Sequence, residues 1–189
     1  MADRYSTVLL FGAPGVGKGT QGSILGSIPN LFHLSSGDMF RMLDVDSELG
    51  QVFYEYSSRG ELVPDDITVQ FWQQNIHAHT VLGLYKPASD LLILDGIPRN
   101  PKQAQQLNEY IEVRKVIHLK CENENAMIQR MRQRALKENR IDDAREDIIS
   151  RRWEVYRRQT RPTLEYYPPH LIEEVNAMDS PANVLSNIL

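Results

Sequence analysis

The sequence predicts a three-layer α/β domain, a five-stranded parallel sheet with helices on both faces. Two observations carry that prediction. Short β-rich apolar runs at 7–11, 32–34, 91–94, 116–119 and 171–175 alternate with longer stretches of helical apolar spacing, and such alternation requires crossovers between parallel strands. The first run also leads directly into Gly12-Ala13-Pro14-Gly15-Val16-Gly17-Lys18-Gly19-Thr20, after which Gln21, Ile24, Leu25 and Ile28 repeat at helical spacing. Strand, glycine-rich loop and helix in that order form a P-loop, whose bare N–H groups wrap a polyphosphate while the helix aims its positive end at it.

The remaining elements follow along the chain. Residues 36–59 read as two helices broken near Asp44 to Asp46 and closing on Arg59-Gly60. Pro64-Asp65-Asp66 then reads as a turn and a helix N-cap. Residues 66–79 form a long helix with Ile67, Phe71 and Ile76 inside and Gln73, Gln74 and His77 outside. The strand at 91–94 is followed by Asp95-Gly96-Ile97-Pro98-Arg99 and by a helix beginning at Pro101. From Glu122 the chain is strongly helical, in two stretches separated at 136–141, with basic residues dense from Arg130 to Arg161. About half of those bases belong to a solvated face balanced by neighbouring acids.

A length of 189 residues fits one domain with small inserted arms. Hydrophobic content of 41% and a net charge of −4 describe an ordinary globular chain with no wide basic field, which argues against nucleic-acid or membrane partners. Cys121 is the only cysteine, so neither an internal disulfide nor a cysteine-ligated zinc is expected, and a reducing cytoplasmic setting is. The apolar run after the polar N-terminus breaks at Gly12 and Pro14, too short for a signal peptide or a membrane span. The five histidines lack metal-ligand spacing and read as structural or surface residues.

The chemistry concentrates in three places. In the P-loop, Gly19 stands where the common pattern has Ser or Thr, and the hydroxyl follows at Thr20. Asp95, at the carboxyl end of a core strand beside that loop, can hold Mg²⁺ through its water shell, and Arg99 points into the same cleft. Arg41 joins Arg99 as a cation set apart from the P-loop, enough to hold a second phosphate. Arg130 and Arg134, at i and i+4, share a helix face that can form a second phosphate wall, because a planar guanidinium matches phosphate oxygens and keeps its charge. Two phosphate sites imply two substrates.

On these motifs, taken in order with Ser36 to Arg41, Gly60 to Asp66, Asp95 to Arg99 with Gln103, and the arginines around Ile141-Asp142-Asp143, the chain resembles the adenylate kinase family of nucleoside monophosphate kinases along nearly its whole length. The resemblance implies reversible phosphoryl transfer from MgATP to AMP, giving two ADP, by a monomer. It places Gly15, Val16, Gly17, Lys18, Gly19, Thr20, Arg130, Arg134 and the Asp179 backbone on ATP. It places Ser36, Arg41, Glu61, Leu62, Val63, Gly96, Arg99, Gln103, Arg140 and Arg152 on AMP, and it assigns catalysis to Lys18, Arg99, Arg134, Arg140 and Arg152. Asp38, Asp142 and Asp143 are expected to cap and orient nearby arginines. An NMP-binding arm spans 35–64 and a short lid 134–141. Ile97 stands where the family carries an aromatic, Ser36 for the commoner threonine, and Asn139 where glycine is typical. The Gln103 amide offers the donor and acceptor that an adenine edge requires. UMP or CMP as acceptor, or nucleotide sensing without turnover, are the alternatives. A GTPase is disfavoured by the absence of an Asn-Lys-x-Asp element.

Overall fold

The computed structural model describes residues 4–138 and 145–189. Five strands, β1 (Tyr5–Gly12), β2 (Leu31–Ser35), β3 (Leu91–Asp95), β4 (Ile111–Lys120) and β5 (Ile172–Asn176), form one all-parallel sheet in the order β2-β3-β1-β4-β5. The helices are α1 (Lys18–Leu25), α2 (Ser36–Arg41), α3 (Glu48–Ser57), α4 (Asp65–Val81), α5 (Pro101–Leu107), α6 (Glu124–Glu138), α7 (Glu146–Val155) and α8 (Pro181–Ile188). The chain fills one side of β1 first and then crosses over it to β4, so the switch point lies at the carboxyl end of β1, where the P-loop begins.

Alternation along each strand sends side chains to both faces, and both faces are covered. Leu9 and Phe11 join Leu34, Leu92 and Leu94 under Trp72 and Ile76 of α4 and Ala104 and Leu107 of α5. Leu10, Ile93, Ile117 and Leu119 pack under Leu25 of α1, Met127 and Met131 of α6, Trp153 of α7 and Val184 of α8. Burial on both sides explains why β3 and the second half of β1 read as unbroken apolar runs.

Three differences from the sequence reading have physical causes. β4 begins at Ile111, before the expected Val116, because Glu112, Arg114 and Lys115 look like loop chemistry. Arg114 instead reaches Glu112 at 2.9 Å and Ser6 at 3.0 Å across an irregular register. In α4, the inward residues are Thr68, Val69, Trp72 and Ile76. Ile67 and Phe71 are half-buried, and Phe71 turns toward Phe40 of α2, with ring centroids 5.0 Å apart. The N-cap position of α4 is Pro64, without a side-chain cap, which frees the Asp65 carboxylate for long-range bonds. Beyond α7 the helix loosens into a π turn at Tyr156–Thr160, closed by the Arg161 N–H donating to the Tyr156 carbonyl, and a 3₁₀ turn follows from Arg161. Pro162 lacks the N–H that would continue an α-helix.

Candidate functional site

The carboxyl ends of β1, β2 and β3 carry Gly12, Ser35 and Asp95 to one rim, with Leu10 and Ser35 both registered against Asp95. β1 then enters the P-loop. Gly12 has φ +148°, and a Cβ there would lie 2.6 Å from the Leu119 carbonyl oxygen of β4, so backbone approach fixes the residue type. Ala13 and Val16 tuck into the α6 side of the core with Met127 and Met131, and Gly15 follows them so closely that a Cβ there would lie 2.7 Å from the Met127 carbonyl oxygen, while around Gly17 the space is open. Thr20 is exposed in the first turn of α1.

Lys18, the first residue of α1, donates from Nζ to the carbonyls of Gly12 at 2.8 Å and Ala13 at 3.1 Å. Desolvation pushes its pKa down from 10.5 to about 8. Asp95 opposes that shift, while Arg99, Arg134 and Arg152 add to it. Those interactions place the three arginines and the aspartate in one electrostatic neighbourhood with the loop lysine. Asp95 is 6% exposed.

A cleft opens beside the loop. Lys18, Arg41, Arg99 and Arg152 line it, with Ser36, Gly60, Glu61, Leu62, Val63, Gly96 and Gln103. Arg41 is oriented by Asp38 at 2.7 Å within α2, and Ser35 caps that helix by accepting from the Asp38 N–H. Arg99 donates from Nε to the Gly96 carbonyl at 2.7 Å. Glu61 pairs with Arg59 at 3.2 Å and approaches Arg151 at 3.6 Å. The Val63 carbonyl accepts from the Thr68 hydroxyl at 3.3 Å. Gly60, with φ +68°, brings the end of the 36–60 segment so close to α7 that a Cβ would lie 2.9 Å from the Ile148 carbonyl oxygen and 3.2 Å from Cγ of Arg152.

Gln103 is 2% exposed, and its amide is already engaged. Its Oε1 accepts from the Arg99 backbone N–H and its Nε2 donates to Asp65, each at 2.8 Å.

Arg130 and Arg134 lie along α6, outside the lining of that cleft. Arg130 donates to the Ala177 carbonyl at 3.2 Å, tying α6 to the loop after β5. In that loop Asp179 accepts from the Ser180 N–H and from Asn183, and so braces the start of α8. Arg140, with Asn139 and Ile141 of the expected lid and the neighbouring Asp142 and Asp143, lies outside the described residues.

Several lining residues escaped the sequence reading. Phe40 and Phe53 stack with centroids 5.3 Å apart and form one wall; their aromatic character was visible but their direction was not. Val155 reaches the cleft from the end of α7, and Tyr156 and Thr160 reach it through the π turn, for which Pro162 is the available signal.

Residues 10–171 match the family model described as adenylate kinase. The chain is 34% identical over 166 residues to the adenylate kinase of Flavobacterium psychrophilum, covering 85% of this chain and 83% of that protein. It is 36% identical over 178 residues to the adenylate kinase of Thermobifida fusca, with 90% and 89% covered. It is 37% identical over 166 residues to that of Parabacteroides distasonis, with 85% and 83% covered. A phosphate loop facing a second cluster of cations and relatives of one kind across most of the chain lead to the same conclusion: this protein belongs to the adenylate kinase family and is a nucleoside monophosphate kinase, a phosphotransferase.

Proposed function

We propose that the protein transfers the terminal phosphoryl group of MgATP to AMP, reversibly, giving two ADP. The observation that carries this reading is the cleft itself, which sets Lys18 of the P-loop against Arg41, Arg99 and Arg152 with Gln103 in the same wall. Cations on two sides suit a reaction in which two polyanions meet and charge moves between them. Lys18 holds the phosphates of the donor. Arg41 and Arg99 hold the phosphate of the acceptor, and Arg134 and Arg152 neutralise charge on the group in transit. An acceptor phosphate with a second pKa near 6 is already ionised at neutral pH, so no carboxylate is needed as a base. Asp38, paired to Arg41, acts as an orienter.

The donor set also fits magnesium arriving with the nucleotide. Asp95 is an oxygen ligand at the strand end, and among the described residues no group of three or more His, Cys, Asp or Glu forms a dedicated cage. Bound with ATP, the ion would neutralise charge on the phosphate oxygens, and Asp95 would hold it through water.

Segments 35–64 and 134–141 are the natural covers that exclude water during transfer. The first supplies Phe40, Arg41 and Phe53 to the cleft. None of the described helices is long and apolar enough to cross a membrane.

A coupled assay of the purified protein with MgATP and each of AMP, GMP, CMP and UMP is expected to give ADP fastest with AMP. No ADP with any acceptor would overturn the reading. Arg99→Ala is expected to raise the KM for AMP at least tenfold, with a much smaller change for ATP, consistent with loss of a charged hydrogen-bond donor worth about 1.5–3 kcal/mol. The opposite split would mean that the two sites are reversed.

A further inference from the structure

Asp65 opens α4, directly after the 35–64 segment, yet its carboxylate bonds to the start of α5. Oδ1 accepts from Asn100 Nδ2 at 2.7 Å and from Gln103 Nε2 at 2.8 Å. Asn100 in turn caps α5 by accepting from the Gln103 N–H at 2.8 Å, and Gln103 Oε1 accepts from the Arg99 N–H at 2.8 Å. Asp65 is largely buried, its side chain 18% exposed, with Lys102 3.8 Å from its other oxygen.

This network removes a freedom that a glutamine ordinarily has. The Arg99 N–H can only donate, and an ionised Asp65 can only accept, so the amide can face them in one sense alone. Flipping it would set an NH₂ against an N–H and a carbonyl against a carboxylate. What remains for a ligand in the cleft is one N–H and one lone pair in a fixed order. Adenine and hypoxanthine present opposite donor–acceptor orders on the edge that carries N1 and the 6-substituent, so a fixed amide can tell them apart and a freely turning one cannot.

We propose that Asp65 is a positioning residue for acceptor selection, locking the handedness of the Gln103 amide and tying base recognition to the backbone of Arg99. The inference rests on AMP being the acceptor. Asp65 touches no reacting atom and acts through Gln103.

The test is a double-mutant cycle on steady-state kinetics with Asp65→Ala, Gln103→Ala and the double variant. Asp65→Ala is expected to raise the KM for AMP about tenfold, to leave the KM for ATP unchanged, and to narrow the preference for AMP over IMP. In the Gln103→Ala background the same change is expected to add nothing to the KM for AMP. Additive effects in the double variant, or equal rises for ATP and AMP, would show a merely structural role and overturn the proposal. If Asp65→Ala does not fold, Asp65→Asn carries the same cycle: it keeps the shape and weakens charge-assisted bonds to neutral ones, giving a smaller AMP-specific rise that again vanishes without Gln103. Wild-type turnover separates the two levels of inference. If AMP is not used at all, the acceptor reading fails and this inference with it; if AMP is used and the effects add, the role of Asp65 alone fails.

Discussion

Lys18→Met is expected to lower turnover by roughly 10²- to 10³-fold or more, the loss that follows removal of a charge-stabilising donor from a phosphoryl or oxyanion site, without lowering the melting temperature. The two halves of that expectation have one cause. Nζ sits against the Gly12 and Ala13 carbonyls, where burial makes its charge unfavourable and brings its pKa to about 8. Because the folded value lies below the unfolded 10.5, the folded state binds fewer protons between those limits. Stability therefore rises with pH across that window, and the charged lysine is a burden on the fold at neutral pH. Methionine fills a similar volume with no charge to desolvate, so stability holds while the cation needed by the phosphates is gone. The same shift gives ATP binding a pH dependence. In the free protein Lys18 loses its proton as pH rises through about 8, while bound phosphates favour the charged form, so affinity for ATP weakens above that pH. The methionine variant lacks this dependence. Turnover at the wild-type rate in Lys18→Met, measured beside its melting curve, would remove Lys18 from the mechanism.

The legible parts of this protein are those whose chemistry is local or whose burial is uniform. Strands buried on both faces give apolar runs that cannot be mistaken, and the P-loop announces itself because Gly12 has to pass within contact of β4. Arg41 and Arg99 are legible because each lies within a few residues of a strand end, which the topology sends to one rim. In sequence, Asp65 reads as part of a turn and cap. A carboxylate beside a helix start looks the same in sequence whether it caps its own helix or, as here, bonds to a helix 35 and 38 residues further on. For Gln103 the position was legible and the network was not. Its two amide functions point to the Arg99 backbone and to Asp65, and no spacing rule links those three groups. The π turn at 156–160, which brings Tyr156 and Thr160 to the cleft, has no hydrophobic period of its own to reveal it.

Helix α4 shows how a correct element can carry an incomplete face, and the consequence is measurable. Phe71 meets Phe40 of α2 on one side, while Trp72, fully buried, meets Tyr5 and Tyr110 on the other, each at 6.3 Å between ring centroids. A helix that packs against two partners has two apolar sectors, so a single-stripe reading through Ile67, Phe71 and Ile76 places Ile76 in the core and misses Val69 and Trp72. Trp72 is the largest of the α4 side chains buried in the core, beside Val69 and Ile76. Trp72→Ala is accordingly expected to cost about 3–5 kcal/mol, through lost transfer energy and a large cavity, and to lower the melting temperature by roughly 6–20 °C for a chain of this size. The lower end is favoured because Nε1 is buried without a hydrogen-bond partner among the described residues, and removing it relieves a desolvation cost. Trp72→Phe, which keeps an aromatic ring and deletes that N–H, is expected to cost far less. Because α4 also carries Asp65 at its first turn, the kinetic constants of Trp72→Phe below its melting point test whether packing and positioning separate: unchanged KM values for AMP and ATP are expected. A fall of less than about 2 °C in Trp72→Ala would mean that α4 is held chiefly by its α2 face, against the burial of Trp72 in the core.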